Sequence, residues 1–90
     1  MSAPNTRVPL THGVLNTLVD DGLTLLDERR GMIYHLNHTG AATLSALLNS
    51  GVEAAVTALC ARYAVTAQTA RRDVTRLLDE LLSHSLVVRQ

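Results

Sequence analysis

Apolar positions along this chain change period once, near residue 37. Before that point they come in three short runs: GVLNTLV from about Gly13 to Val19, Leu23-Thr24-Leu25-Leu26, and Met32-Ile33-Tyr34-His35-Leu36. Each has the length and β-branched or leucine-rich make-up of a strand and is bounded by turn residues. Asp20-Asp21-Gly22 joins the first two runs. Asp27-Glu28-Arg29-Arg30-Gly31 joins the second and third as a charged hairpin loop, with a left-handed Gly expected at its close. Three strands in a row on short turns predict an antiparallel meander. Nothing later in the sequence offers a partner for the outer edge of 32–36, so that edge is expected to stay open.

Beyond residue 37 the spacing becomes three and four. Asn37 or Thr39 can cap a helix that starts near Gly40, carries Ala41, Leu44, Leu47 and Leu48, and breaks at Asn49-Ser50-Gly51. Ser50 and Glu53 have the spacing of a capping box, which predicts a second helix from about Val52 with Ala55, Val56, Leu59, Cys60 and Tyr63 on its stripe. Thr66 caps a third and longest helix, from about Ala67 to His84. Ala67, Ala70, Val74, Leu78 and Leu81 centre its apolar face, flanked by Leu77 and Leu82. That face is wider than one neighbour needs. Either part of it lines a groove or the helix is buried throughout. The fold class predicted is α+β: a three-stranded antiparallel sheet followed by three helices, winged helix-turn-helix-like, with the strands as the wing. Residues 1–12, with two Pro and several small polar residues, read as a flexible lead-in, and 13–90 as the single domain.

Composition narrows the function. Trp and Phe are absent, so the core must come from Leu, Val, Ala and two Tyr. Eight Arg balance eight acids with no Lys, and a neutral chain lacks the basic excess that nucleic-acid binders carry. Arg71, Arg72 and Arg76 are offset by Asp73, Asp79 and Glu80 on the same helix, so no nucleic-acid partner is expected. One Cys allows neither an internal disulfide nor a zinc set and suits a reducing cytoplasm. The first ten residues lack the apolar segment of a signal peptide, and no stretch approaches the roughly 18 apolar residues of a membrane span. A soluble cytoplasmic protein with no membrane partner is expected.

Candidate chemistry is sparse. His35 and His38 fall on a strand end and the following turn, His12 in the lead-in and His84 near a helix end, a scatter unlike a metal site. Cys60 sits on the apolar stripe of the second helix, as a structural thiol would. There is no G-x-S-x-G, Gly-rich phosphate loop or H-E-x-x-H. No catalytic residue, metal or cofactor is expected.

Several of these residues together resemble the PQQ-synthesis protein D family, whose domains are also known as RiPP recognition elements. The resemblance rests on Leu25-Leu26-Asp27, Gly31, Tyr34-x-Leu36-Asn37, Thr39-Gly40, and Asp73-Val74 with Leu78 and Leu81, and it spans residues 13–88. The chain departs from the family at Thr43-Leu44, where a bulky pair is usual, and at Ser85, where Gly is usual. The resemblance implies a winged helix-turn-helix fold that binds the leader segment of a ribosomally made precursor peptide and presents it to a modifying enzyme. The leader adds as a strand at Met32, Ile33, Tyr34, His35 and Leu36 and lays side chains into a groove against the third helix. There Val74, Leu77, Leu78 and Leu81 supply apolar contact and Arg71 and Asp73 flank it. The charged hairpin and the Lys-free composition look most like the leader-binding subunit of lasso peptide maturation. Its partners would be a leader peptidase and possibly a cyclase. Service to PQQ or another peptide-derived product, and a winged-helix DNA-binding regulator, are the alternatives.

Overall fold

A computed structural model describes residues 8–88. Strands β1 (Val14–Val19), β2 (Gly22–Asp27) and β3 (Met32–Leu36) precede helices α1 (His38–Asn49), α2 (Val52–Tyr63) and α3 (Ala67–Ser83). The sheet is antiparallel in the order β1-β2-β3, so the class is α+β, as the change of period indicated.

Two glycines shape the meander. Gly31 closes the β2–β3 loop at φ 67°, the left-handed conformation expected of it. Gly22 is needed for a different reason: a Cβ built there would lie 1.8 Å from the Leu36 carbonyl oxygen, which brings the start of β2 hard against the end of β3. Residues in register share a face, and the inner face carries Leu23, Leu25 and Asp27 of β2 opposite Leu36, Tyr34 and Met32 of β3. Leu25 is fully buried against the helices, with Leu44 and Leu47 of α1 and Val74 of α3.

The helix starts divide between confirmation and correction. Asn37 caps α1, its side chain accepting from the Gly40 N–H at 2.9 Å, and Thr66 caps α3 by accepting from Thr69 N–H at 3.1 Å. The expected Ser50–Glu53 capping box is not formed. Ser50 is instead the C-cap of α1, donating its N–H to Ala46, and Gly51 stands at the N-cap of α2 with no side chain to offer. Glu53 is taken by Arg71 of α3, whose guanidinium reaches both carboxylate oxygens. A cross-helix ion pair has displaced the local cap.

Along the helical stripes, Ala55, Val56 and Leu59 are buried, whereas Tyr63 is exposed, as is Ala67 at the first turn of α3. Of the stretch read as a lead-in, residues 1–7 lie outside the described residues. Val8 is buried and donates its N–H to Leu47, and Leu10 forms a β-bridge with Val87. Residues 86–88 thereby tie to 9–11 across the end of the domain. Among the described residues no helix is long and apolar enough to cross a membrane.

Candidate functional site

Among the described residues β3 pairs with β2 alone, so its other edge carries no strand from them. One loop bond decides which of its backbone groups face outward. Glu28 donates its N–H to the Gly13 carbonyl at 3.0 Å, continuing the β1–β2 ladder by one pair. Hydrogen-bonding direction alternates along a strand, so the even-numbered residues of β2 serve β1, and Leu23, Leu25 and Asp27 serve β3. Their partners Leu36, Tyr34 and Met32 are thus engaged with β2. The N–H and C=O of Ile33 and His35 are left pointing away from the sheet.

Beside this edge, a groove runs between β3 and α3. Its apolar compartment, about 320 Å³, is floored by Leu25, Tyr34, Leu36, Leu77, Leu81 and Leu86, with Ile33 and His35 along the strand side and Glu80 and His84 on the helix side. Tyr34 and His84 meet across one end, their rings 5.2 Å apart and tilted by 45°. A second compartment towards the start of α1 is polar, lined by Asn37, Thr39, Asp73 and Arg76 among others. Leu77 and Glu80 border both compartments.

The hairpin loop holds one end of this groove together. Asp27 is wholly buried, and Arg29 donates to its carboxylate from the backbone N–H, Nε and Nη2. These bonds hold the Asp27 carboxyl below the usual carboxylate range despite the opposing effect of burial. Arg29 also donates from Nη2 to the Ser85 carbonyl at 3.0 Å, and Arg30 from Nη1 to the His84 carbonyl at 3.1 Å. The last turn of α3 has no basic residue of its own, so two arginines from the loop complement its carbonyl end.

The structure sorts the residues singled out from sequence. Ile33, Tyr34, His35, Leu36, Leu77 and Leu81 line the apolar compartment, and Asp73 lines the polar one. Met32 is about half exposed at the loop end of β3. Val74 and Leu78 face the closed core and line neither compartment, whereas Leu81, itself only 3 % exposed, belongs to the core and also lines the apolar compartment. Arg71 is bound to Glu53 on the α2 side of α3 and lines neither compartment. Glu80, His84, Arg76 and Asn37 border the groove without having been picked out as site residues. On α3 the wall is Asp73, Leu77, Glu80 and His84, at offsets of four, three and four residues. That pattern is helical in spacing but mixed in polarity, so hydrophobic periodicity alone does not mark it. Among the described residues no group of three or more His, Cys, Asp and Glu side chains is gathered to hold a metal ion.

An open strand edge flanked by a half-apolar groove defines a domain equipped to take an extended peptide. Residues 22–87 match the family model of coenzyme PQQ synthesis protein D (PqqD), and the chain belongs to that family. Two solved structures are similar across nearly the whole chain. One is described as TbiB1 in complex with the TbiA(beta) leader peptide (28 % identity, TM-score 0.84, covering 91 % of this chain and 96 % of that one). The other is lasso peptide synthetase B1 complexed with the leader peptide (26 % identity, TM-score 0.86, covering 92 % and 99 %). No curated protein matches the chain.

Proposed function

We propose that this protein is a non-catalytic module that binds the leader segment of a ribosomally made precursor peptide. In this reading the leader adds as a fourth strand on β3, bonding to the outward backbone groups of Ile33 and His35. Its inward side chains enter the groove against Leu77 and Leu81, with Tyr34, Leu36 and Asp73 alongside. The observation that carries the reading is the free edge of β3 beside an apolar compartment of about 320 Å³. Main-chain bonds supply affinity in such an arrangement, and pockets for alternate side chains supply selectivity. Likeness to two proteins whose structures hold leader peptides supports it.

Lasso peptide maturation is the pathway we favour, with a leader peptidase and a cyclase as partner enzymes, because the match to lasso peptide synthetase B1 covers 92 % of this chain and 99 % of that one. Arg71, Val74 and Leu78 take no direct part in this proposal, since an ion pair and the core already occupy them. The chain's zero net charge argues against phosphate-driven DNA binding. The test is a titration of the purified chain against two ligands: the labelled leader of the precursor encoded beside its gene, and duplex DNA. Saturable leader binding with no salt-sensitive DNA binding is the expected result. The opposite outcome would return the chain to the DNA-binding class.

A further inference from the structure

Glu80 is the charged side chain that borders both compartments of the groove. Among the described residues its carboxylate makes no hydrogen bond and no ion pair. Of the arginines near the groove, most are held by other partners and none is paired with Glu80. Arg29 is held by Asp27 and the Ser85 carbonyl, Arg30 by the His84 carbonyl, and Arg71 by Glu53. Arg72 lies 4.0 Å from Asp73. Arg76, one turn before Glu80, shares the polar compartment and the solvent face of α3 with it, makes no ion pair with it, and takes no part in the apolar compartment.

An exposed carboxylate costs nothing while water solvates it. Covering the groove with a peptide strips part of that water, and an unpaired charge left at a desolvated contact is costly. A cation on the peptide removes the penalty, whereas an acidic side chain at the same place adds to it. Asp73, two turns before Glu80 on the same wall, biases the groove in the same direction, against one opposing charge from Arg76. We infer that Glu80 is a specificity-determining residue of the groove and selects a peptide with Lys or Arg next to its apolar anchor. Inward side chains of an added strand recur about every 6.7 Å. Leu77 and Glu80 are separated by about 4.5 Å of helix rise. Glu80 lies between Leu77 and Leu81 along the helix. A Lys or Arg at the next inward position, two residues from an anchor seated on those leucines, therefore reaches back by about 5 Å to meet it, a span its side chain covers.

This inference rests on the peptide-binding reading above, and one experiment separates the two. The full chain, its E80Q variant and its E80K variant are each used to select from an mRNA-displayed library of random peptides about 16 residues long. Wild type should enrich an apolar anchor with Lys or Arg two residues away. E80Q should keep the anchor and lose the cation, and E80K should prefer Asp or Glu there. A peptide selected on wild type should bind E80Q about threefold to fivefold more weakly, the scale of a solvent-screened pair. Replacing its cation by Glu should restore preference for E80K. An anchored consensus with the same charge preference on wild type, E80Q and E80K would overturn the role of Glu80 and leave the groove reading intact. Absence of any anchored consensus would overturn both.

Discussion

Arg29 reaches both oxygens of the buried Asp27 carboxylate at 2.9 Å, one from Nε and one from Nη2. The same guanidinium touches the Ser85 carbonyl, so one side chain joins the end of β2 to the end of α3. Its hydrogen bonds favour the ionised form of Asp27 and lower its pKa in the folded protein. A carboxyl with a depressed folded value contributes stability that is fully present above the unfolded value, about 4. That contribution is lost as pH falls through the lower folded value. The melting temperature should therefore hold from neutral pH down to about 4 and drop below it. Asp27→Asn should melt lower at pH 7 and show a shallower acid decline. Thermal scans of both proteins from pH 7 to pH 2 check this, and a parallel decline would mean that Asp27 does not drive it.

Ser85 follows the end of α3 in left-handed backbone, φ 57°. Its N–H bonds to Leu82 and that of Leu86 to Leu81, the two bonds of a Schellman motif, in which Gly is the usual residue at this place. A side chain there carries strain that Gly lacks, offset in part by the greater freedom of Gly in the unfolded chain. Ser85→Gly should stabilise the fold by about 0.5–1 kcal/mol. Urea denaturation should show a higher midpoint with unchanged slope. A lower midpoint would mean that the Ser85 side chain makes a stabilising contact outweighing its backbone strain.

Leu77 and Leu78 are neighbours in sequence with opposite duties. Leu78 faces the core and Leu77 the groove. Leu78→Ala should cost about 2–5 kcal/mol of stability, the range for a buried leucine. Leu77→Ala should cost much less and weaken the leader more. Denaturant melts with leader titrations on both variants test the division. Equal stability losses would place both leucines in the core.

How far the sequence was legible follows from these residues. The strand and helix positions were readable because runs, turns and caps such as Asn37 and Thr66 act locally. Local spacing gives Glu53 a capping role, whereas its partner, Arg71, lies 18 residues away in another helix. Periodicity marks the apolar centre of α3, but Ala67 at its start is exposed, and Ala70, Val74 and Leu78 are consumed by the core. The groove wall falls on the flank, where Leu77 stands between Asp73 and Glu80, and charge there reads as ordinary solvent face until β3 is seen opposite it. The parity of the β3 edge was also hidden, since it depends on the Glu28–Gly13 bond of the neighbouring strand pair.

That parity gives the account its most direct test. Proline removes one N–H and is tolerated on an edge strand where that group faces outward. The His35 N–H faces outward and the Tyr34 N–H serves β2, so Tyr34→Pro should damage the fold while His35→Pro leaves it intact. The decisive measurement is the affinity of folded His35→Pro for the labelled leader, with circular dichroism as the folding control and His35→Ala as the side-chain control. Loss of one main-chain bond should weaken binding by about threefold to tenfold, with His35→Ala close to wild type. A folded His35→Pro that binds the leader as tightly as wild type would contradict strand addition at this edge.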